Sequence, residues 1–422
     1  MRIRPALALC IVLAATATGR AHAQAQVDQL SLEDAVRLAR EANPALHAAR
    51  LRADVVAERV PQAGALPDPI LGFSLMNRQI QDFGSTAEPM LQNRFELSQR
   101  LPWPGKLGFS EERSELLASA GLLEAEETEE LLIARVKAVY YRLAFMDRAL
   151  LIMENTRELL RDFLDVSSTL YAVGEGLQQD VLQAQVAVAS MTEDITVMEQ
   201  DRLATAARLN ALLGREATAA IGRLELPSPG AELPSVEALM ELADAQRPGL
   251  QAARGRARAA AAGYRAAGRA AYPDFMVGVA YSQRPQYNDW LSFMVGISLP
   301  LWAGKSHLPL RREMAALQAE QEARVLDLYN ETFARIAEQR AEAERARKLL
   351  SLYATSILPQ ARAAVESALS AYRVGKVDFM TLVQNELTVN RFEIESVRWS
   401  AEYQRAVAEL EALVGSDFGG AQ

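Results

Sequence analysis

Phe275-Met276-Val277-Gly278-Val279-Ala280-Tyr281 places Phe, Val, Val and Tyr at the odd positions against Met, Gly and Ala at the even ones. Leu291-Ser292-Phe293-Met294-Val295-Gly296-Ile297-Ser298-Leu299 repeats the pattern a short turn later. A hydrophobic period of two is that of a strand with one greasy face. Outward from this pair, the first half of the chain offers another: Leu71, Phe73 and Leu75 against Gly72 and Ser74, then Phe95, Leu97 and Leu101 against Arg94, Glu96, Ser98 and Arg100. Strands are expected at 68–76, 92–101, 274–283 and 290–300. A soluble sandwich would cover these greasy faces with a second sheet, but no other segment alternates this way, so they need lipid or another subunit. Each segment has about the length a tilted strand needs to cross a bilayer, and Trp103, Tyr272, Tyr287, Trp290 and Trp302 near the ends are the expected membrane-interface aromatics. Four strands leave two unpaired edges, and the smallest membrane barrels need about eight strands. Several copies must then share one barrel, which cyclic symmetry closes.

The chain states its plan twice. Tyr171-Ala172-Val173-Gly174 returns as Tyr372-Arg373-Val374-Gly375, and Leu209-Asn210-Ala211-Leu212-Leu213-Gly214 as Leu410-Glu411-Ala412-Leu413-Val414-Gly415. Asn43-Pro44-Ala45-Leu46 recurs as Arg247-Pro248-Gly249-Leu250. The repeat is far longer than a solenoid unit, so a duplicated architecture with its halves side by side is expected. The first repeat spans 24–214, with helices at 31–63, 106–170 and 178–213; a Pro-rich connector covers 215–234. The second repeat spans 235–415, with helices at 235–270, 308–371 and 378–414, before a tail at 416–422.

The helices after each strand pair are too long for a globule, about 100 Å at 1.5 Å per residue. Leu132, Val136, Val139, Leu143, Met146, Leu150 and Met153 alternate spacings of four and three, and Leu160 and Leu164 resume the pattern after Arg157. A heptad of this kind makes helices supercoil around neighbours. Tyr329, Thr332, Ile336, Ala343, Ala346, Leu350 and Tyr353 repeat it more thinly, and Pro359 should kink the second long helix. Ser31-Leu32-Glu33-Asp34 reads as a capping box opening the first helix.

Residues 1–23 read as an export leader: Arg2 and Arg4 precede an apolar run, and Ala21-His22-Ala23 supplies a cleavage site. Cys10, the only cysteine, sits inside that apolar run with almost no hydrophobic region before it, a poor setting for lipidation. A processed chain is then free of disulfides, and it is three charges more acidic than the formal −9 because Arg2, Arg4 and Arg20 leave with the leader. Acidity of this order argues against nucleic acid as a partner. Enzyme signatures are missing: there is no Gly-rich phosphate loop, nucleophile elbow or Cys/His pair. His47 and His307 are far apart in the plan, so neither a metal site nor a cofactor is expected.

In order and spacing, the duplication, the strand pairs opening at Pro67-Asp68-Pro69 and Tyr272-Pro273-Asp274, and the two Tyr-x-Val-Gly turns resemble the TolC family of outer-membrane efflux ducts. The likeness runs from about Ser31 to Gly415. It implies a mainly α fold with a small transmembrane β part: a homotrimer whose 12-stranded β-barrel continues as a periplasmic α-helical barrel. It also implies outer-membrane lipid around the barrel, a periplasmic adaptor, and an inner-membrane pump of the resistance-nodulation-division class. Leu97-Ser98-Gln99-Arg100-Leu101-Pro102-Trp103-Pro104-Gly105-Lys106-Leu107, with its twin Leu301-Trp302-Ala303-Gly304-Lys305, resembles the branch serving cobalt-zinc-cadmium and copper-silver exporters. The alternative cargo is organic compounds or a type I secretion substrate.

By the same resemblance the adaptor docks at the helical tips, Val173, Gly174, Glu175 and Gly176 in one half and Val374, Gly375, Lys376 and Val377 in the other. The family's aspartate constriction maps here onto Thr381 and Gln384, which carry no charge; Asp180, Asp378 and Glu386 are the nearby carboxylates that a ring of copies would multiply. A periplasmic coiled-coil adaptor is the rival reading, but it should have one helical hairpin flanked by soluble β domains. The strand-connecting loops 77–90 and 284–289 are expected outside the cell.

Overall fold

The computed structural model describes residues 30–416 apart from 79, 81–89, 229, 231–232, 286, 373 and 375. The leader expected at 1–23, with Cys10, lies outside the described residues, as do Gly375, most of the 77–90 loop and the tail beyond 416. The first half runs α1 (Leu32–Ala42), α2 (Pro44–Ala57), α3 (Arg59–Gly64), β1 (Ile70–Met76), β2 (Gln92–Leu101), α4 (Lys106–Ala172) and α5 (Gln178–Leu212). The second runs α6 (Val236–Gln246), α7 (Pro248–Ala270), β3 (Phe275–Gln283), β4 (Trp290–Ile297), α8 (His307–Leu352), α9 (Leu358–Tyr372) and α10 (Phe379–Val414).

Three helices expected to be continuous are divided, each for a local reason. Within 31–63 the chain breaks before Pro44, whose missing N–H suits the first position of a new helix, and Asn43 Oδ1 accepts the Ala45 and Leu46 N–H groups at 2.9 and 3.1 Å. A second break at Glu58 separates α3. Within 235–270 the twin break falls before Pro248. Arginine has no acceptor to offer as a cap, and Glu127 of α4 takes over: its Oε2 accepts the Gly249 N–H at 2.9 Å, while Oε1 receives Arg247 Nη2 at 2.6 Å. Arg247 is only 5% exposed and also donates to Thr332 Oγ1 at 2.6 Å. Within 308–371 a single π-turn, Tyr353–Ile357, precedes Pro359, and the Leu358 N–H reaches back to Tyr353 O. The widened turn accommodates a ring that an α-helical backbone would exclude. The strand expected over 290–300 ends at Ile297, shortly before Pro300, which has no N–H for a ladder.

The capping box forms: Ser31 Oγ accepts the Asp34 N–H at 3.0 Å and donates to Asp34 Oδ2 at 2.9 Å. Helix α4, with 67 residues, is the central column, and α2, α5, α7 and α10 all pack on it. Its heptad positions Leu132, Val136, Leu143, Met146, Leu150, Met153 and Leu160 are buried. In the second half Thr332, Ile336, Ala343 and Ala346 are buried, but Tyr329 stands exposed. Helix α8 packs on α6, α7 and α10. Small buried residues on α7, among them Ala252, Ala259 and Ala262, let it lie close to its neighbours.

The connector wraps these columns through side chains that take its backbone groups. Asp147 Oδ2 accepts the Leu224 N–H at 2.9 Å, and Arg202, paired with Asp147 at 2.5 Å, donates to Gly222 O at 3.0 Å. Further along, Gln404 Nε2 donates to Ser228 O at 2.9 Å and Arg340 Nε to Pro234 O at 2.7 Å.

Candidate functional site

The strands form one antiparallel sheet in the order β1-β2-β3-β4, so β2–β3 pairing joins the two halves while β1 and β4 are its edges. Register aligns the greasy residues into cross-strand rows: Leu71, Leu97, Val279 and Phe293 in one, Phe73, Phe95, Tyr281 and Leu291 in the next. The opposite face carries Gly72, Glu96, Ala280 and Ser292, then Ser74, Arg94, Ser282 and Trp290. Among the described residues no helix covers the apolar rows; Phe293 and Val295 are each 79% exposed. A contiguous apolar sheet face of this size is a surface that water does not solvate favourably.

Aromatic side chains stand at both ends of the strands. At the helix end Trp103 stacks on Tyr272 and Phe275, with ring centroids 5.3 and 5.6 Å apart. At the far end the Arg284 guanidinium lies 4.7 Å from the Tyr287 ring and 4.2 Å from that of Trp290. Trp290 falls on the polar side of the sheet, in line with Ser282. Trp302 is 74% exposed.

Sequence reasoning missed the link between these ends of the two halves. Lys106 Nζ lies 2.8 Å from Asp274 Oδ1 and donates to Tyr272 O at 2.8 Å, while the Trp103 N–H donates to the same carboxylate at 3.0 Å. The signal was present, since both the lysine and the aspartate recur in the other half as Lys305 and Asp68.

At the opposite end of the helical columns lie the two turns. Gly174 takes a left-handed backbone, φ 78°, and a Cβ on Gly176 would meet Tyr171 N at 2.9 Å, so each glycine is required for a different reason. The Glu175 N–H donates to Leu170 O at 2.9 Å, and its twin Lys376 N–H donates to Ala371 O at 3.0 Å. Val173 and Val374 are each 66% exposed at the two tips.

The five candidate constriction residues sit in different surroundings within one chain. Asp378 caps α10, accepting the Thr381 N–H at 3.0 Å and the Thr381 hydroxyl, which together hold its carboxyl below the ordinary range. Burial pushes the Asp180 carboxyl up, and repulsion from Asp378 adds to it, so the two carboxylates sense each other within one chain. Glu386, only 8% exposed, lies beside buried Leu382 and Val383 in the chain's own core, where burial and then Glu393 raise its carboxyl. Thr381 and Gln384 are exposed on the far side of the helix.

A sheet with one uncovered apolar face, continued by columns of long helices, defines a subunit of a membrane channel. The sequence matches outer membrane efflux protein over residues 35–215 and 239–416, and the chain belongs to that family. It is an outer-membrane efflux channel, a transport duct rather than an enzyme. Among solved structures the fold is similar to the outer-membrane channel OprN, with a TM-score of 0.77 and 19% identity over 93% of this chain and 91% of that one. It is also similar to CusC, whose structures concern folding and transmembrane channel formation, with a TM-score of 0.80 and 16% identity over 92% and 93%. VceC of Vibrio cholerae scores 0.78 at 18% identity over 92% and 96%. Against proteins of curated function the sequence has no match.

Proposed function

We propose that three copies of this chain share one barrel and form the passive exit duct of a tripartite system, receiving heavy-metal cations from an inner-membrane pump through a periplasmic adaptor. The uncovered apolar sheet face calls for lipid, and the unpaired edges β1 and β4, whose backbone groups hydrocarbon cannot satisfy, carry the shared-barrel reading. The adaptor docks at the tips, on Val173, Gly174, Glu175, Gly176, Val374, Gly375, Lys376 and Val377. Two exposed valines at the ends of reversed helices support an apolar contact there.

The cargo reading rests on the resemblance of residues 97–107 to the metal-exporting branch. No group of three or more His, Cys, Asp or Glu able to hold a metal occurs among the described residues. On this reading the chain is a passive conduit, and selection and energy belong to the pump and adaptor. The exposed, uncharged Thr381 and Gln384 favour a second reading, a duct for organic compounds. Deletion of the gene in cells without a redundant duct, followed by challenge with zinc, copper and dyes, separates the two. Lost metal tolerance with intact dye tolerance supports the first, and the converse supports the second.

A further inference from the structure

The two halves carry one strand-to-helix junction in duplicate, and among the described residues only one copy of it is engaged. In the engaged copy, Trp103-Pro104-Gly105-Lys106 follows β2 and closes on Asp274, just ahead of the neighbouring strand β3. The second copy, Trp302-Ala303-Gly304-Lys305, follows β4 and keeps one backbone bond of the first: the Lys305 N–H donates to Trp302 O at 2.9 Å, as the Lys106 N–H does to Trp103 O at 3.0 Å, although Gly105 is left-handed and Gly304 is not. Its tryptophan and lysine side chains nevertheless stand exposed.

The missing aspartate is also present, at the other edge of the sheet. Leu66-Pro67-Asp68-Pro69-Ile70-Leu71-Gly72 leads into β1 as Tyr272-Pro273-Asp274-Phe275-Met276-Val277-Gly278 leads into β3. Asp68 is exposed. Strands β1 and β4 are separated by β2 and β3, roughly 14 Å at about 4.8 Å per strand, so the two half-clasps face opposite ways.

We infer that Lys305 and Trp302 of one copy close on Asp68 of the next, repeating at each subunit seam the clasp that joins the two halves within a chain. This rests on the shared-barrel reading proposed above. An even number of strands lets β4 run antiparallel to β1 of the next copy, and the two charges are complementary. Trp302 then covers Leu66 and Pro69, the counterparts of the Tyr272 and Phe275 that Trp103 covers.

The seam register follows from aligning the strands themselves, the second junction carrying one residue more, Leu301, between its Leu-Pro and its tryptophan. Within the chain Leu97 pairs with Val279 and Gln99 with Val277. Laying Leu101-Pro102 on Leu299-Pro300 and Asp274 on Asp68 puts Val295 opposite Phe73 of the next copy, and Ile297 opposite its Leu71. Both pairs keep the apolar face continuous, which a slip by one residue would reverse.

The test is charge exchange in the purified protein, read as the temperature at which the oligomer band disappears in dodecyl sulfate. Lys305→Glu and Asp68→Lys should each lose the oligomer at a temperature the wild type survives, and the double exchange should restore it. Both side chains are exposed in the isolated chain, so folding of the chain itself is spared. Independently, a Val295→Cys/Phe73→Cys variant should give covalent subunit ladders on oxidation that reductant collapses, Cys10 being the only native cysteine. An oligomer indifferent to the single reversals, a double exchange that fails to recover, or the absence of ladders would each overturn the clasp while leaving the shared barrel intact. A wild type that is monomeric throughout would overturn both.

Discussion

Phe293 is 79% exposed in the single chain and lies in the row Leu71, Leu97, Val279 and Phe293. If that face met water, Phe293→Lys would be a surface change worth within about 0.5 kcal/mol. Against hydrocarbon, a lysine near the bilayer midplane costs about 2–4 kcal/mol per copy, hence roughly 6–12 kcal/mol in the proposed ring of three. At about 1.4 kcal/mol per tenfold, each copy shifts its folding equilibrium in lipid by roughly 30- to 1000-fold. Ser292→Lys is the internal control: it is the adjacent residue, but its row is Gly72, Glu96, Ala280 and Ser292 on the polar face, and its expected cost is near zero. Phe293→Ala separates lost contact area from added charge. Each variant is refolded from urea into lipid vesicles, and the folded fraction is read from heat-modifiable gel mobility. If Phe293→Lys folds as well as Ser292→Lys, the greasy face does not meet lipid and the barrel reading fails.

Removing Glu127 strands the buried Arg247 and uncaps α7, so Glu127→Ala should destabilise by about 3–5 kcal/mol, whereas Glu127→Leu/Arg247→Met should recover most of it; chemical unfolding followed by helical circular dichroism decides, and equal losses in both variants would count against the pairing. At the tip the sign is set by two opposed shifts. Asp180, raised in the folded chain, weakens the tip at neutral pH, and stability returns as pH falls through its raised value; Asp378, lowered by its Thr381 bonds, stabilises the tip above its unfolded value, and that contribution is lost as pH falls through its lowered one. Asp180→Asn should therefore slow hydrogen exchange in tip peptides at neutral pH and erase the gain seen on mild acidification; unchanged exchange would sink the coupling. Gly176→Ala, which drives a Cβ to 2.9 Å from Tyr171 N, should impair efflux with oligomer yield unchanged, as measured by cargo tolerance against surface-exposed protein. Asn288→Cys should be labelled by an impermeant reagent on intact cells; labelling only after lysis would reverse the topology.

Period-two alternation made the strands and their greasy side readable, because side-chain direction along a strand depends on parity alone. Which strand lies beside which depends on long-range pairing, so the β2–β3 joint between halves could not be read from alternation. Parity also places Trp290, an even position of β4 like Ser292, on the polar side. Glu386 was similarly legible, standing three and four residues beyond the buried Val383 and Leu382 on the inward stripe of α10. The divided helices had their marker too, in Asn43-Pro44 and Arg247-Pro248, where a proline opens a helix more readily than it continues one. The lysine–aspartate clasp needed three dimensions, since 168 residues separate its partners.

The twin breaks also show why the second half is not a free-standing copy of the first. Both are seated against a glycine that ends the returning helix: a Cβ on Gly214 would fall 2.5 Å from Ala42 O, and one on Gly415 would fall 3.1 Å from Gln246 O. The geometry is shared, but its chemistry is supplied differently. Asn43 caps its own helix and donates to Leu212 O at 2.8 Å within the first half. Arg247 instead reaches Glu127 of the first half and Thr332 of the second, so the joint in the later repeat is completed by the earlier one. The sheet follows the same logic, with Lys106 of one repeat closing on Asp274 of the other. Contacts between repeats are thus built into the fold within a chain, and the proposed seam would repeat them between the edges β1 and β4 of neighbouring copies.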